Sequence, residues 1–550
     1  MRGALPLALV CAAALLPGLL SLPVVDRDEA RFAQASRQMA GGKSWRSYVV
    51  PQLQDRPRIN KPPLTYWLQS TAARLAGEIE QDPWRSYVWP YRLPSALAAA
   101  LAVIAIWRLG REMFGEPSAT LAGVLLATSP MLMWEARQAR ADAILLATVT
   151  FAQLRLWRVW QSSHTTAGST AAAGTGRDAA WFWTAVAAAA LTKGPVGPAI
   201  CALTIAALCF STRQWRWIAV LQPVRGVALA AAPLLLWWTA VGIAVGWEPL
   251  ATTLRDEYLT RALAPREGHG GPPGYHAVLV WALCWPAGLL ILPGLWNAWR
   301  AISSPQHEGA TDPLRFLLAW LAPAWLLFEL AGTKLPHYVL PLYPALVLLA
   351  VRTPVEVAAR FLESRWCRAG FAAWLATGAL LGVLLPWIPL LFGAGSIRSA
   401  AIAAAASATA AMLLLATRRF ALRHRFAEAC IAAAGVPLCA FAATTPLLSN
   451  AEKLHVSQQL VRHLAVIDPV ANRPLAAVDH HEDSLVFLSR GRAERIAGED
   501  LRAWSERHPR GILIVSAERA SALPHARELA RVAGWNYSKG RRVELRIVER

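Results

Sequence analysis

Charge is scarce in this sequence: Asp, Glu, Lys and Arg make up 16% of its 550 residues, where an ordinary soluble domain carries about 25%. Acidic residues are the rarer kind, 35 against 55 basic ones, which leaves a formal net charge of +20. Cysteine is limited to seven positions (Cys11, Cys201, Cys209, Cys284, Cys367, Cys430 and Cys439), all within or beside apolar runs and none in the polar C-terminal region. That distribution excludes a disulfide framework and a CxxC metal signature. The sequence also lacks a Gly-rich phosphate loop, an HExxH and a GxSxG, which argues against an ATPase, a metalloprotease or a lipase.

What the sequence has instead is apolar length, with 55% hydrophobic residues and a mean hydropathy of +0.34. Long apolar runs alternate with short polar stretches, the pattern expected when roughly 20 residues must cross about 30 Å of hydrocarbon. Backbone groups in lipid must be satisfied internally, so these runs predict helices. About thirteen spans are expected, near 4–23, 93–110, 117–134, 141–160, 179–193, 195–212, 223–246, 275–297, 314–332, 337–351, 368–393, 397–416 and 425–446. The first resembles a signal peptide, and with so many spans following it is read as an uncleaved helix.

The basic excess has a topological reading. Arg108/Arg111, Arg155/Arg158, Arg213/Arg216, Arg300, Arg352/Arg360 and Arg418/Arg419/Arg423 follow every second span. By the positive-inside rule those loops are cytoplasmic. The N-terminus is then inside, and the first loop (24–92), the loop 247–274 and the C-terminal region (447–550) lie outside. A nucleic-acid partner is not needed to explain the charge; anionic lipid or a phosphate-bearing substrate is a better match. The expected organisation is a membrane domain over 1–446 followed by a small α/β domain over 447–550, with strands at Leu475–Val478, Gly511–Val515 and Val543–Val548 and a helix at Glu499–Arg507. In that domain His480, His481, Glu482 and Asp483 could bind a metal, but a solvated turn is the simpler reading.

Polar clusters gather at the outer ends of the spans. Asp26-Arg27-Asp28-Glu29-Ala30-Arg31-Phe32 opens an amphipathic segment suited to the membrane surface, with Asp26 and Glu29 spaced as a capping box. Asp28 and Arg31 are left over for chemistry, since a carboxylate at the bilayer face can act as a base or bind a sugar. Arg56-Pro57-Arg58-Ile59-Asn60-Lys61-Pro62-Pro63-Leu64-Thr65-Tyr66-Trp67 follows, and its Pro-Pro pair suits a second helix start with Lys61 beside the positive end of the dipole. Anchoring of Lys61, Tyr66 and Trp67 at the membrane interface is the competing reading. Arg137, Arg140 and Asp142, then Thr192-Lys193-Gly194-Pro195, then Gly332-Thr333-Lys334-Leu335-Pro336-His337-Tyr338 recur on the same side. Ionisable residues at membrane depth are expensive and usually mark a site. The loop 247–274, with its charges, His269 and Gly270-Gly271-Pro272-Pro273, suits a lid.

These residues, DEARF, KPPLTYWL, LTKGPVG and TKLPHYVLPLYPAL, in that order over about residues 5–350, resemble the ArnT-like branch of the GT-C glycosyltransferases. That branch includes the lipid A 4-amino-4-deoxy-L-arabinose transferase and is related to the protein O-mannosyltransferases. The resemblance implies an all-α polytopic membrane fold of GT-C type in the bacterial inner membrane. It also implies transfer of a sugar from a polyprenyl (undecaprenyl) phosphate to lipid A or another envelope acceptor on the periplasmic face. Asp28 and Asp142 match the family's two acidic positions, and Lys61 the lysine placed to contact donor phosphate. Arg31, Lys193 and Lys334 stand in motif positions assigned to substrate phosphate. Glu29, Arg58, Tyr66, Arg137, Arg140, His337 and Tyr338 from the same motifs complete the candidate substrate-binding set. Many relatives carry Glu immediately before the KPP lysine, where this chain has Asn60. That Glu, with a loop histidine, looks like a metal ligand in the family. Asn is a poor zinc ligand, which argues against metal dependence and weakens His269, the loosely aligned candidate ligand.

Two other classes compete. A transporter or flippase of a lipid-linked anion would need access from both faces and usually shows internal repeats, and none is evident. A non-catalytic scaffold has only Asn60 in its favour.

Overall fold

The main body of the chain is built from apolar helices. Among the described residues six are long and apolar enough to cross a membrane: Trp89–Phe114, Pro223–Val245, Asp312–Leu330, Arg365–Ala394, Ile397–Leu422 and Phe426–Ser449. At about 1.5 Å per residue, the 26 residues of Trp89–Phe114 exceed the hydrocarbon thickness. The chain is therefore a multi-pass membrane protein. These are features of a computed structural model that describes residues 3–80, 82–165, 169–260, 270–303, 311–523 and 526–549. The expected spans near 141–160 and 179–193 form the helices Asp142–Thr165 and Ser169–Lys193, which pack against one another. The split near 194 is real, because Gly194 takes a positive φ of 65° between Lys193 and the next helix, Val196–Thr212. The one near 335 is real too: residues 331–335 are non-helical between Asp312–Leu330 and a 3₁₀ turn, Pro336–Leu342, which runs directly into the helix Tyr343–Val351.

Close packing depends on small residues at the helix contacts. The ring of Trp285 stacks on that of Trp374 at 4.6 Å, and each indole Nε1 donates to the other residue's carbonyl, at 2.9 and 2.8 Å. A Cβ at Gly378 would fall 2.2 Å from Trp285 Cζ2, so only glycine lets the pair form.

The first loop folds into the helices Asp28–Gly41 and Leu64–Leu75, joined through a short helix, Trp45–Val49, and a hairpin of β1 (Gln52–Leu53) and β2 (Arg56–Pro57). Ser36 Oγ donates to Gln69 Oε1 at 2.7 Å and Ser70 Oγ to the Ser36 carbonyl at 2.9 Å, which fixes the two helices side by side. The expected capping box does not form. Arg27, at φ 66°, is the residue before the helix, and the Asp26 carboxylate accepts from the Ser484 amide instead. Nor is the Asp28–Gly41 helix a simple surface helix, because the C-terminal region covers it through the helix Asp483–Leu488.

That C-terminal region holds a five-stranded sheet in the order β4-β3-β5-β7-β6. The strands are β3 (Leu475–Ala477), β4 (Ala493–Arg495), β5 (Ile512–Ser516), β6 (Arg527–Asn536) and β7 (Arg541–Glu549). The alternation of side chains along a strand gives the sheet two apolar faces. Ile512, Ile514 and Ile547 pack against Leu460 and Leu464 of the helix Val456–Ile467, while Leu513, Val515 and Val548 pack against Leu501 and Trp504. Residues 480–483 are not the solvated turn expected: His480, Glu482 and Asp483 are 2%, 6% and 4% exposed. The sheet lies over the first loop, and burying this turn is what seats it there.

Candidate active site

Each polar residue of the site stands at the end of an element. Asp28 occupies the first turn of its helix, where the dipole favours a carboxylate. Asp142 begins the helix Asp142–Thr165 and Lys193 ends Ser169–Lys193, again with the sign each helix end favours. Lys61 precedes the Pro-Pro start of Leu64–Leu75, and His337 and Tyr338 lie in the 3₁₀ turn. Helices of very different sequence position thus deliver their charged ends to one cleft of 120 Å³. Arg31, Arg58, Lys61, Arg140 and Lys193 line it with Asp28 and Asp142, five cations around two carboxylates.

The geometry within the cleft is specific. Lys193 Nζ lies 2.5 Å from Asp142 Oδ1, and His337 Nε2 lies 3.7 Å from the same oxygen. Lys193 Nζ also sits 5.0 Å from the centre of the Tyr338 ring. Asp28 is reached by Arg140 at 3.6 Å and Arg31 at 3.9 Å, and its side chain is 48% exposed. Burial alone would raise the Asp28 pKa, but Arg140, Arg58, Arg31 and Lys61 outweigh it and hold the carboxyl below its ordinary range. Arg58 is aimed by its neighbours: its Nε donates to the Tyr66 hydroxyl at 3.0 Å, and its guanidinium lies 5.3 Å from the Phe32 ring, which stacks on Tyr66. Lys61 is paired with Glu257, from the turn of helix that follows Trp247–Leu254.

Four of the candidate residues do not line this cleft. Glu29 is 1% exposed and forms a buried pair with Arg92 at 2.7 Å, while its carboxylate also accepts from the amides of Val25 and Ala139. It closes the first loop against the span below, and no substrate can reach it. Arg137 is wholly buried, donating to the carbonyls of Pro17 and Ala14 at 2.6 and 2.7 Å. Lys334 Nζ donates to the carbonyls of Gly271 and Pro272 at 3.1 and 3.0 Å, so it fastens the end of the 247–274 loop. Tyr66 stands behind Arg58, fully buried. His269 lies outside the described residues. Among the described residues no three His, Cys, Asp or Glu side chains converge as metal donors.

The sequence reading missed Glu135, whose carboxylate holds Arg140 at 3.1 Å, and the role of Glu257 as the partner of Lys61. It also missed Asp483, which accepts from Arg31 Nε at 2.7 Å across 452 positions. Two charges of opposite sign flanking one motif could have suggested Glu135. Nothing local points from Arg31 to Asp483.

A cleft at one end of a bundle of spans, roofed by loop helices and a separate sheet, defines a membrane protein of the GT-C fold class. Its fold is like that of ArnT. It superimposes on ArnT from Cupriavidus metallidurans in the apo state with a TM-score of 0.72 and 19% identity, covering 98% of this chain and 97% of that one. The undecaprenyl phosphate-bound form of the same protein gives 0.70 and 21%, with the same coverage. The family model for dolichyl-phosphate-mannose-protein mannosyltransferase matches residues 60–238. An undecaprenyl phosphate-alpha-4-amino-4-deoxy-L-arabinose arabinosyl transferase from Enterobacter sp. (strain 638) is 25% identical over 369 residues. That alignment takes in 66% of this chain and 61% of the relative, so the chain spans about three-fifths of that relative's length.

Proposed function

We propose that this protein moves a sugar from a polyprenyl phosphate donor, undecaprenyl phosphate being the best match, to an envelope acceptor such as lipid A. The observation that carries the reading is the gathering of five cations and two carboxylates around one cleft at the mouth of the spans. Polyprenyl phosphate is a good leaving group once its charge is offset, so the main task is electrostatic stabilisation of the departing phosphate. Lys61, Arg58 and Arg31 are the groups for that task. Lys193 and His337 hold Asp142, the second carboxylate, in place. Asp28, kept ionised by its cations, orients the acceptor and takes its proton where the acceptor is a hydroxyl. A phosphate acceptor, as on lipid A, needs no strong base. The displacement is single and inverts the anomeric carbon; trapping of a covalent glycosyl-enzyme would sink that step.

The names of the relatives favour the donor class, and the positive-inside pattern favours an active site on the periplasmic face of a bacterial inner membrane. In this reading about thirteen spans cross the bilayer, the N-terminus is cytoplasmic, and the region 447–550 is a periplasmic α/β domain. The test is transfer by the purified protein in membranes, with radiolabelled undecaprenyl-phosphate sugars, isolated lipid A, and Asp28→Ala as control. Label on lipid A that disappears in the control supports the whole reading. Label on other envelope acceptors keeps the transferase and discards lipid A. No transfer to any acceptor overturns it.

A further inference from the structure

The helices Trp285–Ser303 and Arg365–Ala379 run antiparallel: Trp285 meets Gly378, and a Cβ at Gly288 would fall 2.5 Å from Trp374 Nε1. Lys334, between the cleft-lining Thr333 and Leu335, holds the Gly271 carbonyl at 3.1 Å. That puts the chain leading into Trp285–Ser303 on the cleft side, so Ser303 and Arg365 mark the far end of the bundle. Toward that end lies an apolar groove of 460 Å³, a size suited to a ligand. Trp366, Phe371 and Trp374 of one helix line it with Leu289 and Leu292 of the other, and with Phe361 of the short helix Val355–Glu363. It opens at the surface, since Trp366 is 74% and Leu292 48% exposed. Along Arg365–Ala379 it extends from Trp366 to Thr377, about 16 Å at 1.5 Å per residue. That is half of a hydrocarbon core about 30 Å thick.

Among the described residues no charged side chain lines the groove. Charge gathers at its far end instead. The segments 352–368 and 418–428, which bring Phe361, Trp366 and Phe426 to it, carry eight arginines against three glutamates. Glu428 is taken by Arg425 at 2.8 Å. Glu356 and Glu363 are exposed and, among the described residues, pair with no arginine. Arg360, Arg365 and Arg368 are likewise exposed and without a carboxylate partner among the described residues, and the Arg365 guanidinium lies 5.3 Å from the Trp366 ring. The positive-inside rule accounts for arginines in such loops, but not for an open apolar groove that ends among them.

We propose that this groove holds one acyl chain of an anionic phospholipid from the leaflet at the far end, with Arg360, Arg365 and Arg368 around its phosphate. The groove is one leaflet deep, its lining is apolar, and its cations stand where the head group would. A polyprenyl phosphate bound at the cleft carries its charge at the opposite end of the bundle and does not fit this arrangement. The proposal needs only the membrane fold and stands apart from the transferase reading.

The experiment places the full chain in nanodiscs of phosphatidylethanolamine and phosphatidylglycerol with matched chains, and reads the lipids that stay bound by native mass spectrometry. The wild type retains one phosphatidylglycerol, preferred about tenfold or more over phosphatidylethanolamine. The triple variant Arg360→Gln, Arg365→Gln and Arg368→Gln loses that preference. Gly370 lines the groove, and a Cβ there would meet nothing within 4 Å. Gly370→Leu therefore fills the space without strain at the Cβ and loses the retained lipid, while Gly370→Ala keeps it. Phosphatidylglycerol raises the melting temperature of the wild type and not that of Gly370→Leu. Equal retention of the two lipids by the wild type, or phosphatidylglycerol still held by Gly370→Leu, overturns the proposal. Displacement by an equimolar amount of undecaprenyl phosphate assigns the groove to a polyprenyl chain, and a dimer lost in Gly370→Leu assigns it to a second copy. Either result also overturns it.

Discussion

Lys193 Nζ lies 2.5 Å from Asp142 Oδ1, and the two side chains are 16% and 8% exposed. Both line the cleft, one at the end of a helix and one at the start of another. A pair so placed is worth little relative to an apolar pair, but removing one partner strands a buried charge, at about 3–5 kcal/mol.

Lys193→Met is therefore expected to lower the melting temperature more than the double variant Lys193→Met with Asp142→Asn. Thermal unfolding in detergent checks this. With Asp142→Asn alone as the third arm, a double-variant loss equal to the sum of the two single losses would mean the pair carries no coupling.

Asp28→Asn keeps shape and removes charge. Transfer is expected to fall roughly 10²- to 10⁴-fold with little change in thermal stability, because the side chain is 48% exposed. Since surrounding cations hold this carboxyl below its ordinary range, the wild-type rate should show no ionisation of Asp28 between about pH 5 and 8. A rate-controlling carboxylate pKa inside that window, lost in Asp28→Asn, would contradict the electrostatics.

Glu29→Gln and Arg92→Leu break a pair with no exposed side-chain surface at all. Each should destabilise by about 3–5 kcal/mol, and activity per folded molecule should remain near wild type. A soluble, normally melting Glu29→Gln protein with no activity would place Glu29 in catalysis after all.

The Asp26 carboxyl is pushed up to about 6, first by burial and then by Glu482 and Asp483, against the opposing bonds from Ser484. Its folded pKa lies above its unfolded value, so it binds a proton more tightly in the folded protein. The stability this contributes is fully present below pH 3.8 and is lost as the pH rises through about 6. Hydrogen exchange of residues 26–41 should accelerate over that interval as the C-terminal region loosens, and Asp26→Asn should abolish the change.

The helices are legible in the sequence because lipid demands long apolar runs. Most of the cleft is legible too, because charge at that depth is costly and is kept where a site needs it. Asp28, Lys61, Asp142 and Lys193 were readable on those grounds. Glu29, Arg137 and Lys334 stand in the same motifs and carry the same chemistry, yet their partners (Arg92, a backbone carbonyl of the first helix, and carbonyls of Gly271 and Pro272) are chosen by tertiary packing. The strand β6 escaped for a different reason. It is an edge strand whose residues are mostly exposed or half-exposed, so no alternating apolar pattern betrays it. β4 is only three residues long.

Arg31 and Asp483 are 452 positions apart, and the consequence is temporal. Arg31 emerges from the ribosome long before the carboxylate that will hold it. The ion pair that Asp483 makes with Arg31, and the C-terminal side of the cavity beside the cleft, cannot exist while the chain is still being made. A nascent chain would hold the first-loop helices without the C-terminal surface that packs on them. Synthesis itself thus separates the two sides of this contact, which closes only when the sheet has folded down over the first loop.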